Sequence, residues 1–301
     1  MNLVTKKQKE YSLIDSGDGE KLERFGDFLV IRPEAQALWA KGDGNQWQKA
    51  NAVFKTEWSI SKNTPNDISL EILEVKTKIQ IGKGRNIGFF PEYVSLIELL
   101  RKIIRKNNEI SARAGQAGTK ILNLFAHTGF SSIVYAKAGG EVVHVDSSRS
   151  SNEIAKDSAN TNGAGDKIRF ITEDALDFMK REVRRGQKYD LIILDPPSFG
   201  RGDKGQVFKI EEKITELIEE AKKLLSINPI GILLSGYSSE FASMSYSNVL
   251  AVSTGKEVIN GTLSIEEEGG RLSLPLAKWA FACGSSEIKD IILKLINNPE
   301  E

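Results

Sequence analysis

Residues 191–202 read LIILDPPSFGRG, an apolar run halted by a carboxylate, Asp195, and followed by Pro196, Pro197, Ser198 and the aromatic Phe199. A buried strand needs none of this. Two prolines fix two φ angles and leave carbonyls without competing N–H groups, so the turn forms a rigid set of acceptors. Asp195 can orient an amine or a charged ligand group, and Phe199 can stack on a planar ring. These four residues, Asp195, Pro196, Pro197 and Phe199, are the candidate catalytic set; ordinary turn punctuation is the competing reading.

The same test, asking what ends each apolar run, finds three more loaded exits: NLFAHTGFSS, HVDSS and TEDALDF. The first carries one glycine, Gly129, where a dinucleotide site shows a glycine-rich loop against a pyrophosphate. Asp146 stands one β-α step later, where an acidic residue accepts from ribose hydroxyls. Asp174 can accept from an exocyclic adenine amine or can cap the following helix. Asp146 can equally cap its helix, and Gly129 can simply start one. A ligand with ribose and adenine but no phosphate points to S-adenosylmethionine, and joint placement on successive exits is what favours it over capping alone.

Such exits need a parallel sheet to position them. From Lys120 onward, runs at KILNLF, EVVHVD, KIRFIT, YDLIILD and GILLSG alternate with helical segments at 131–138, 148–160, 174–185 and 210–225. Uniformly apolar strands between helices predict a doubly wound, mostly parallel α/β sheet. Further helices are expected at 91–107, 241–251 and 287–297, with 109–119 as a linker. From Tyr11 to Ile81 short alternating runs separated by Gly, Asn, Asp and Pro predict a small β-rich unit. The expected organisation is 1–88, the β-rich domain, and 89–301, the α/β domain.

The 301 residues carry 41 basic and 41 acidic side chains, so the chain lacks the positive excess of a protein held to nucleic acid by its whole surface. One cysteine, Cys283, and two histidines, His127 and His144, exclude a disulfide framework and supply too few soft ligands for a zinc site, so no metal is expected. The reducing cytosol is the expected compartment. No apolar leader and no run of about 18 apolar residues is present, so neither export nor a membrane helix is expected.

The segments NLFAHTGFSS, VDSS, EDALDFMKREVRRGQKYDLIILDPPSFGRG, IGFFPE and the N-terminal LIDSGDGEKLERFGDFLVIRPEAQALW resemble class I S-adenosylmethionine-dependent methyltransferases related to bacterial 23S ribosomal RNA methyltransferases. The resemblance covers most of the chain. It implies a Rossmann-like seven-stranded methyltransferase sheet. It also implies cofactor contacts from Phe125, Ala126, His127, Thr128 and Gly129, from Asp146 and Ser147, from Asp174 and Ala175, and from Asp195. No separate N-terminal RNA-binding module of the kind some relatives carry is expected. LLSGYSS lacks the cysteine found there in relatives that methylate carbon 5 of cytosine.

That chemistry needs a thiolate, and Cys283 sits in the apolar run WAFACG, far along the chain. Direct in-line transfer to a nucleobase of RNA, most simply ribosomal RNA, is the leading expectation. A base stacked on Phe199 would gain about 1–3 kcal/mol, although Ser198 interrupts the simpler Asp-Pro-Pro-aromatic order of amino-methyltransferases. Basic residues Lys76, Lys78, Lys83, Arg85, Arg101, Lys102, Arg105 and Lys106, and a second group of Arg181, Arg184, Arg185 and Lys188 joined in sequence by Arg201 and Lys204, are candidate phosphate contacts or solvated faces. Trp39, Trp47, Trp58 and Trp279 are expected in cores. A protein or small-molecule acceptor, and a non-catalytic cofactor- or RNA-binding module, remain as alternatives; a nicotinamide dehydrogenase is disfavoured by the single-glycine loop.

Overall fold

A computed structural model describes residues 1–42, 44–82, 84–113, 118–201, 207–237 and 241–298, and the side chains of 199, 201 and 207 lie outside that description. The chain divides into two compact units: Asn2–Ser95 with Leu263–Leu276, and Met1, Leu96–Thr262 with Ala277–Glu301.

The unit holding most of the N-terminal residues begins with β1 (Asn2–Thr5), which the alternation from Tyr11 onward does not anticipate. Then β2 (Tyr11–Gly17), β3 (Glu20–Phe25), β4 (Phe28–Pro33), the single turn α1 (Gly44–Trp47), β5 (Ala52–Phe54) and β6 (Trp58–Ile60) follow, the five strands after β1 forming one sheet in that order. A hairpin, β7 (Asp67–Ile72) and β8 (Val75–Gln80), completes the run. In β7, Ile68, Leu70 and Ile72 are buried and their neighbours exposed, the period-2 pattern of a strand with one wet face.

Charge is buried in this unit. Glu23 on β3 is fully buried and accepts from Arg32 of β4 through Nε (2.8 Å) and Nη2 (3.0 Å), and from the Tyr11 hydroxyl (3.1 Å). Burial alone would raise the Glu23 carboxyl, but the Arg32 and Lys21 charges prevail and hold it below the usual glutamate range. A second cluster explains why 263–276 belongs here. Arg271 donates to Asp15 (2.6 Å) and Glu267 (2.9 Å), while the backbone N–H and hydroxyl of Ser16 donate to Glu267 (2.9 and 2.7 Å). The sequence boundary at 88/89 follows composition; the compact units divide at Ser95, and these side-chain contacts join the distant segment 263–276 to the first of them.

The larger unit opens with a 3-10 turn at Pro91–Tyr93 running into α2 (Val94–Arg113). The helix extends past residue 107 into the stretch expected to be a linker, because Asn107 and Asn108 bond Thr119 (2.9 and 2.7 Å) and anchor its last turns. Next come β9 (Lys120–Leu124), α3 (Phe130–Lys137), β10 (Glu141–Asp146), α4 (Arg149–Thr161), β11 (Ile168–Thr172), α5 (Ala175–Arg184) and β12 (Leu191–Leu194). A short hairpin, β13 (Phe199–Arg201) and β14 (Val207–Lys209), precedes α6 (Ile210–Lys223), β15 (Gly231–Gly236), α7 (Ser243–Thr254), β16 (Val258–Glu266), β17 (Ser273–Cys283) and α8 (Ser286–Asn297).

The large sheet has the order β1-β16-β17-β15-β12-β9-β10-β11. The seven expected strands are present, and β1 adds an eighth at one edge. Strands β11, β10, β9, β12 and β15 are parallel and β17 is antiparallel to β15. Every residue of β12 and β15 is buried, as a strand covered on both faces requires, whereas the edge strand β11 buries only Ile168. Leu122, Leu124, Ile192, Leu194, Ile232 and Leu234 of the central strands meet Phe178 and Leu217 of the helices in one core. Among the described residues, no helix is long and apolar enough to cross a membrane.

Removing one partner of the Glu23–Arg32 pair leaves a charge unpaired in a dry site, which costs about 3–5 kcal/mol. Arg32→Met is therefore expected to lower the urea-unfolding free energy by that order. Since Glu23 is depressed in the folded chain, the pair's contribution is present above the ordinary glutamate range and disappears as pH falls through the lower folded value. Urea titrations of both proteins at neutral and acid pH check this: the gap between them must narrow on acidification.

Candidate active site

The strand registers bring the four exits to one level. Leu124, the end of β9, lies opposite Val145 of β10 on one side and Leu194 of β12 on the other; Asp146 lies opposite Thr172, and Leu194 opposite Leu234. The segments beginning at Phe125, Asp146, Glu173, Asp195 and Ser235 thus leave the sheet along one edge, successive strands being about 4.8 Å apart. Strand order reverses between β9 and β12. Their following loops diverge to opposite faces, and a crevice opens where the first exit loop and the Asp195 turn face each other.

The first wall is a strained loop. Phe125 (φ 57°) and His127 (φ 48°) are non-glycine residues in the left-handed region, a conformation costing about 1–3 kcal/mol each and retained only where surroundings dictate it. Asp146 is the principal constraint: its carboxylate accepts from the His127 N–H (2.8 Å) and from the Ser148 N–H (2.8 Å). Ala126 N–H donates to the carbonyl of Val145 (3.1 Å), and the Phe125 ring meets Phe208 of β14 with centroids 5.7 Å apart. Gly129 (φ 85°) has no alternative, since a Cβ there would stand 2.7 Å from Cβ of Ala155 on α4. Behind the loop, His144 shares a hydrogen bond with Ser132 Oγ (2.9 Å), and burial pushes it down to about 4, so it is neutral. Burial also lowers His127, against the pull of Asp146.

The second wall is the Asp-Pro-Pro turn. Asp195 Oδ1 accepts from the Ser235 hydroxyl (2.8 Å), which crosses from the neighbouring strand. Pro196 is buried, while Pro197 and Ser198 are exposed. Beyond them the chain enters the β13–β14 hairpin, with Phe199 paired to Lys209; the Phe199 side chain lies outside the described residues. Ser198 is thus the last residue before the hairpin, its carbonyl accepting from the Ile210 N–H (3.3 Å).

Other predicted residues stand apart from this crevice or are occupied. Asp174 Oδ1 accepts from Leu176 N (2.9 Å) and Asp177 N (3.2 Å), so the capping role is filled, and Ala175 opens α5. Ser147 is exposed beside Asp146, and Thr128 is half-buried in the loop. Of the second basic group, Arg181 pairs with Glu173 and Arg185 with Glu182 (3.2 Å), while the Lys188 ammonium donates to the carbonyl of Lys223. Helix α5 runs back antiparallel to the strands, so Arg184, Arg185 and Lys188 lie at the opposite edge from the Asp195 turn. Their nearness in sequence to Arg201 does not become nearness in space. Within the first group, Arg101 pairs with Glu98 (2.6 Å) and Lys76 stands across the ladder from Glu71; Lys83 and Lys204 lie outside the described residues. Cys283 pairs with Gly231, the first residue of β15, at the edge away from the crevice, and burial pushes its thiol up to about 12. Trp47 and Trp279 are buried, and Trp39 and Trp58 are half-buried, donating to the carbonyls of Ser16 and Gly84. No cluster of metal-binding side chains occurs among the described residues.

Three residues at the exits lie outside the predicted site set: Ser235, Tyr246 of α7, and Lys278, which lies opposite Gly236 on β17. Only Ser235 carries a sequence signal, its place at the end of an apolar run. The surroundings suit a nucleoside bearing a cationic sulfur: carboxylates at three exits, histidines held neutral, and a loop closed tightly on its own strand with no glycine-lined cradle for a diphosphate. Asp146→Ala removes the acceptor for two backbone N–H groups, each bond to a charged group being worth about 1.5–3 kcal/mol. The expected result is a fall of about 10- to 100-fold in S-adenosylmethionine affinity by calorimetry; unchanged affinity would show that the loop holds its form unaided.

Comparisons with known proteins agree with this geometry. A family model described as S-adenosylmethionine-dependent methyltransferase matches residues 55–239. Ribosomal RNA large subunit methyltransferase I of Serratia proteamaculans is 28% identical over 239 residues, 73% of this chain and 58% of that protein. Its counterpart in Tolumonas auensis is 34% identical over 202 residues, 66% of this chain and 47% of that protein. The chain thus spans about half the length of these curated relatives. The crystal structure of the SAM-dependent methyltransferase from Agrobacterium tumefaciens matches at 32% identity and a TM-score of 0.87, covering 95% of this chain and 94% of that one. A methyltransferase solved with SAH shares the fold at 17% identity and a TM-score of 0.70, covering 91% of this chain and 76% of that one. With the family model spanning more than half its length and the crevice at the strand-order reversal, this chain belongs to the S-adenosylmethionine-dependent methyltransferase family.

Proposed function

We propose that this chain transfers a methyl group from S-adenosylmethionine to a nucleobase of ribosomal RNA by direct in-line displacement, without a cysteine adduct. One observation carries the reading: Leu124, which leads into the loop held by Asp146, lies opposite Leu194, which leads into the proline-stiffened turn at Asp195, at the point where strand order reverses. S-adenosylmethionine, when bound, supplies a sulfonium methyl open to nucleophilic attack. Residues Phe125 to Gly129, with Asp146 and Ser147, form the side that holds it, joined by Asp174 and Ala175 farther along the edge. Asp195, oriented by Ser235, and the Pro196 carbonyl accept from the N–H groups of an incoming amine, and Phe199 is the aromatic candidate for stacking on its ring. Transfer asks these groups for alignment more than for proton chemistry, because reacting atoms must be held about 3–3.5 Å apart with water kept out.

The absence of a thiol step is supported by Cys283, which lies at the opposite sheet edge with its thiol held protonated by burial. Ribosomal RNA as acceptor is supported by the names of the curated relatives. A second reading, a protein or small-molecule acceptor, draws support from the zero net charge and from basic side chains engaged with carboxylates.

The deciding experiment supplies labelled S-adenosylmethionine and purified protein to ribosomal RNA from cells lacking the gene, with mass spectrometry of the nucleosides. Label is expected in one base of large-subunit RNA, reduced at least about 100-fold by Asp195→Ala, in the range found when a group acting at the reacting centre is removed. Label confined to protein or metabolites would transfer the assignment to the second reading.

A further inference from the structure

We propose that Tyr246 is a substrate-contacting residue whose hydroxyl holds the acceptor base against the Asp195–Pro196 turn, reading a nucleobase edge that presents an N–H beside a lone pair. The inference rests on the methyltransferase reading above and names a residue that no strand-end motif marks.

Tyr246 lies on α7, about fifty residues beyond the turn in sequence, and is 3% exposed. Its hydroxyl has no hydrogen-bond partner among the described residues. A phenylalanine would fill the same space without burying an unmatched polar atom, so the hydroxyl is a cost to folding that a bound group can offset. Its position identifies that group. A Cβ built on Gly236 would stand 2.8 Å from the Tyr246 hydroxyl oxygen and 3.7 Å from the carbonyl oxygen of Pro196. Gly236 follows Ser235, whose hydroxyl bonds Asp195. The phenol therefore ends beside the acceptors of the turn, in the space a side chain at 236 would need.

Burial, reinforced by the Asp195 charge, pushes the phenol up to about 12, so at neutral pH it keeps its proton and serves as a donor. One donor beside a carbonyl and a carboxylate complements an amino or imino group next to a ring nitrogen or carbonyl, the pattern on the pairing edge of a nucleobase. A simple hydroxyl or a lysine amine carries donor and lone pair on a single atom, whereas a base edge carries them on neighbouring atoms, as the phenol and the turn's acceptors require. Glycine at 236 leaves room for this arrangement, and a side chain there would collide with the phenol.

Tyr246→Phe tests the assignment with three readouts: methyl transfer to RNA, S-adenosylmethionine binding by calorimetry, and thermal unfolding. The expected result is a 10- to 100-fold loss in kcat/KM for RNA, cofactor affinity within twofold of the parent, and a Tm unchanged or raised. Gly236→Ala should also lose transfer, and adding Tyr246→Phe to it should recover its Tm while leaving transfer at the Tyr246→Phe level. Unchanged transfer in Tyr246→Phe overturns the inference, as does a parallel loss of transfer, cofactor binding and Tm, which marks a structural role. Absence of label in RNA with the parent protein overturns the RNA reading itself and this inference with it.

Discussion

The reversal of strand order between β9 and β12 is the constraint on which the rest of this molecule depends. Elsewhere in a parallel sheet, successive crossovers keep the loops of neighbouring strands on one face, where they pack together. At the reversal, chain leaving β9 and chain leaving β12 turn to opposite faces and cannot cover the gap between them. Every feature of the crevice manages that opening: backbone in the left-handed region on one side, two prolines on the other, and the Phe125–Phe208 contact joining the first loop to the hairpin that follows the turn.

The aspartates at strand ends show how one residue type is divided among physical tasks by its surroundings. Asp146 organises backbone N–H groups from two loops, Asp174 caps a helix, and Asp195 takes a hydroxyl from the adjacent strand. Asp190, at the other end of β12, accepts from Lys120 N–H (2.9 Å) and Ser226 Oγ (2.7 Å), clamping the opposite edge of the sheet. Four carboxylates of similar sequence context thus include two whose bonds lie at the crevice walls, one that completes a helix end and one that braces the far edge. Charge elsewhere follows the same economy of partners. Glu182, almost fully buried, accepts from Tyr189 (2.7 Å) and Arg185 (3.2 Å), which draws part of a seemingly free basic stretch into the fold.

The parallel sheet was legible because its signal is local and repeated: LIIL and GILLSG are buried on both faces, and a strand covered on both sides must be apolar at every position. The exits were legible for the same reason, since the residue after an apolar run is read directly from the chain. Less was visible where the deciding contacts are long-range. β1 and the union of 263–276 with the N-terminal strands depend on partners up to 262 positions away, as in Asn2 with Ser264 or Asp15 with Arg271, and the extension of α2 to Arg113 depends on Thr119 beyond the helix end.

What the amino-acid sequence determined by itself is the periodicity of burial, the α/β class and the set of polar residues delivered to strand ends, because each follows from neighbouring side chains and backbone stereochemistry. Tertiary structure alone decided which of those residues face one another. It sent Arg184, Arg185 and Lys188 to the far edge because a helix must run back along its sheet. It brought Tyr246 to the Asp195 turn because α7 packs beside β15. Distance along a chain carries no information about either outcome; the order and direction of strands do.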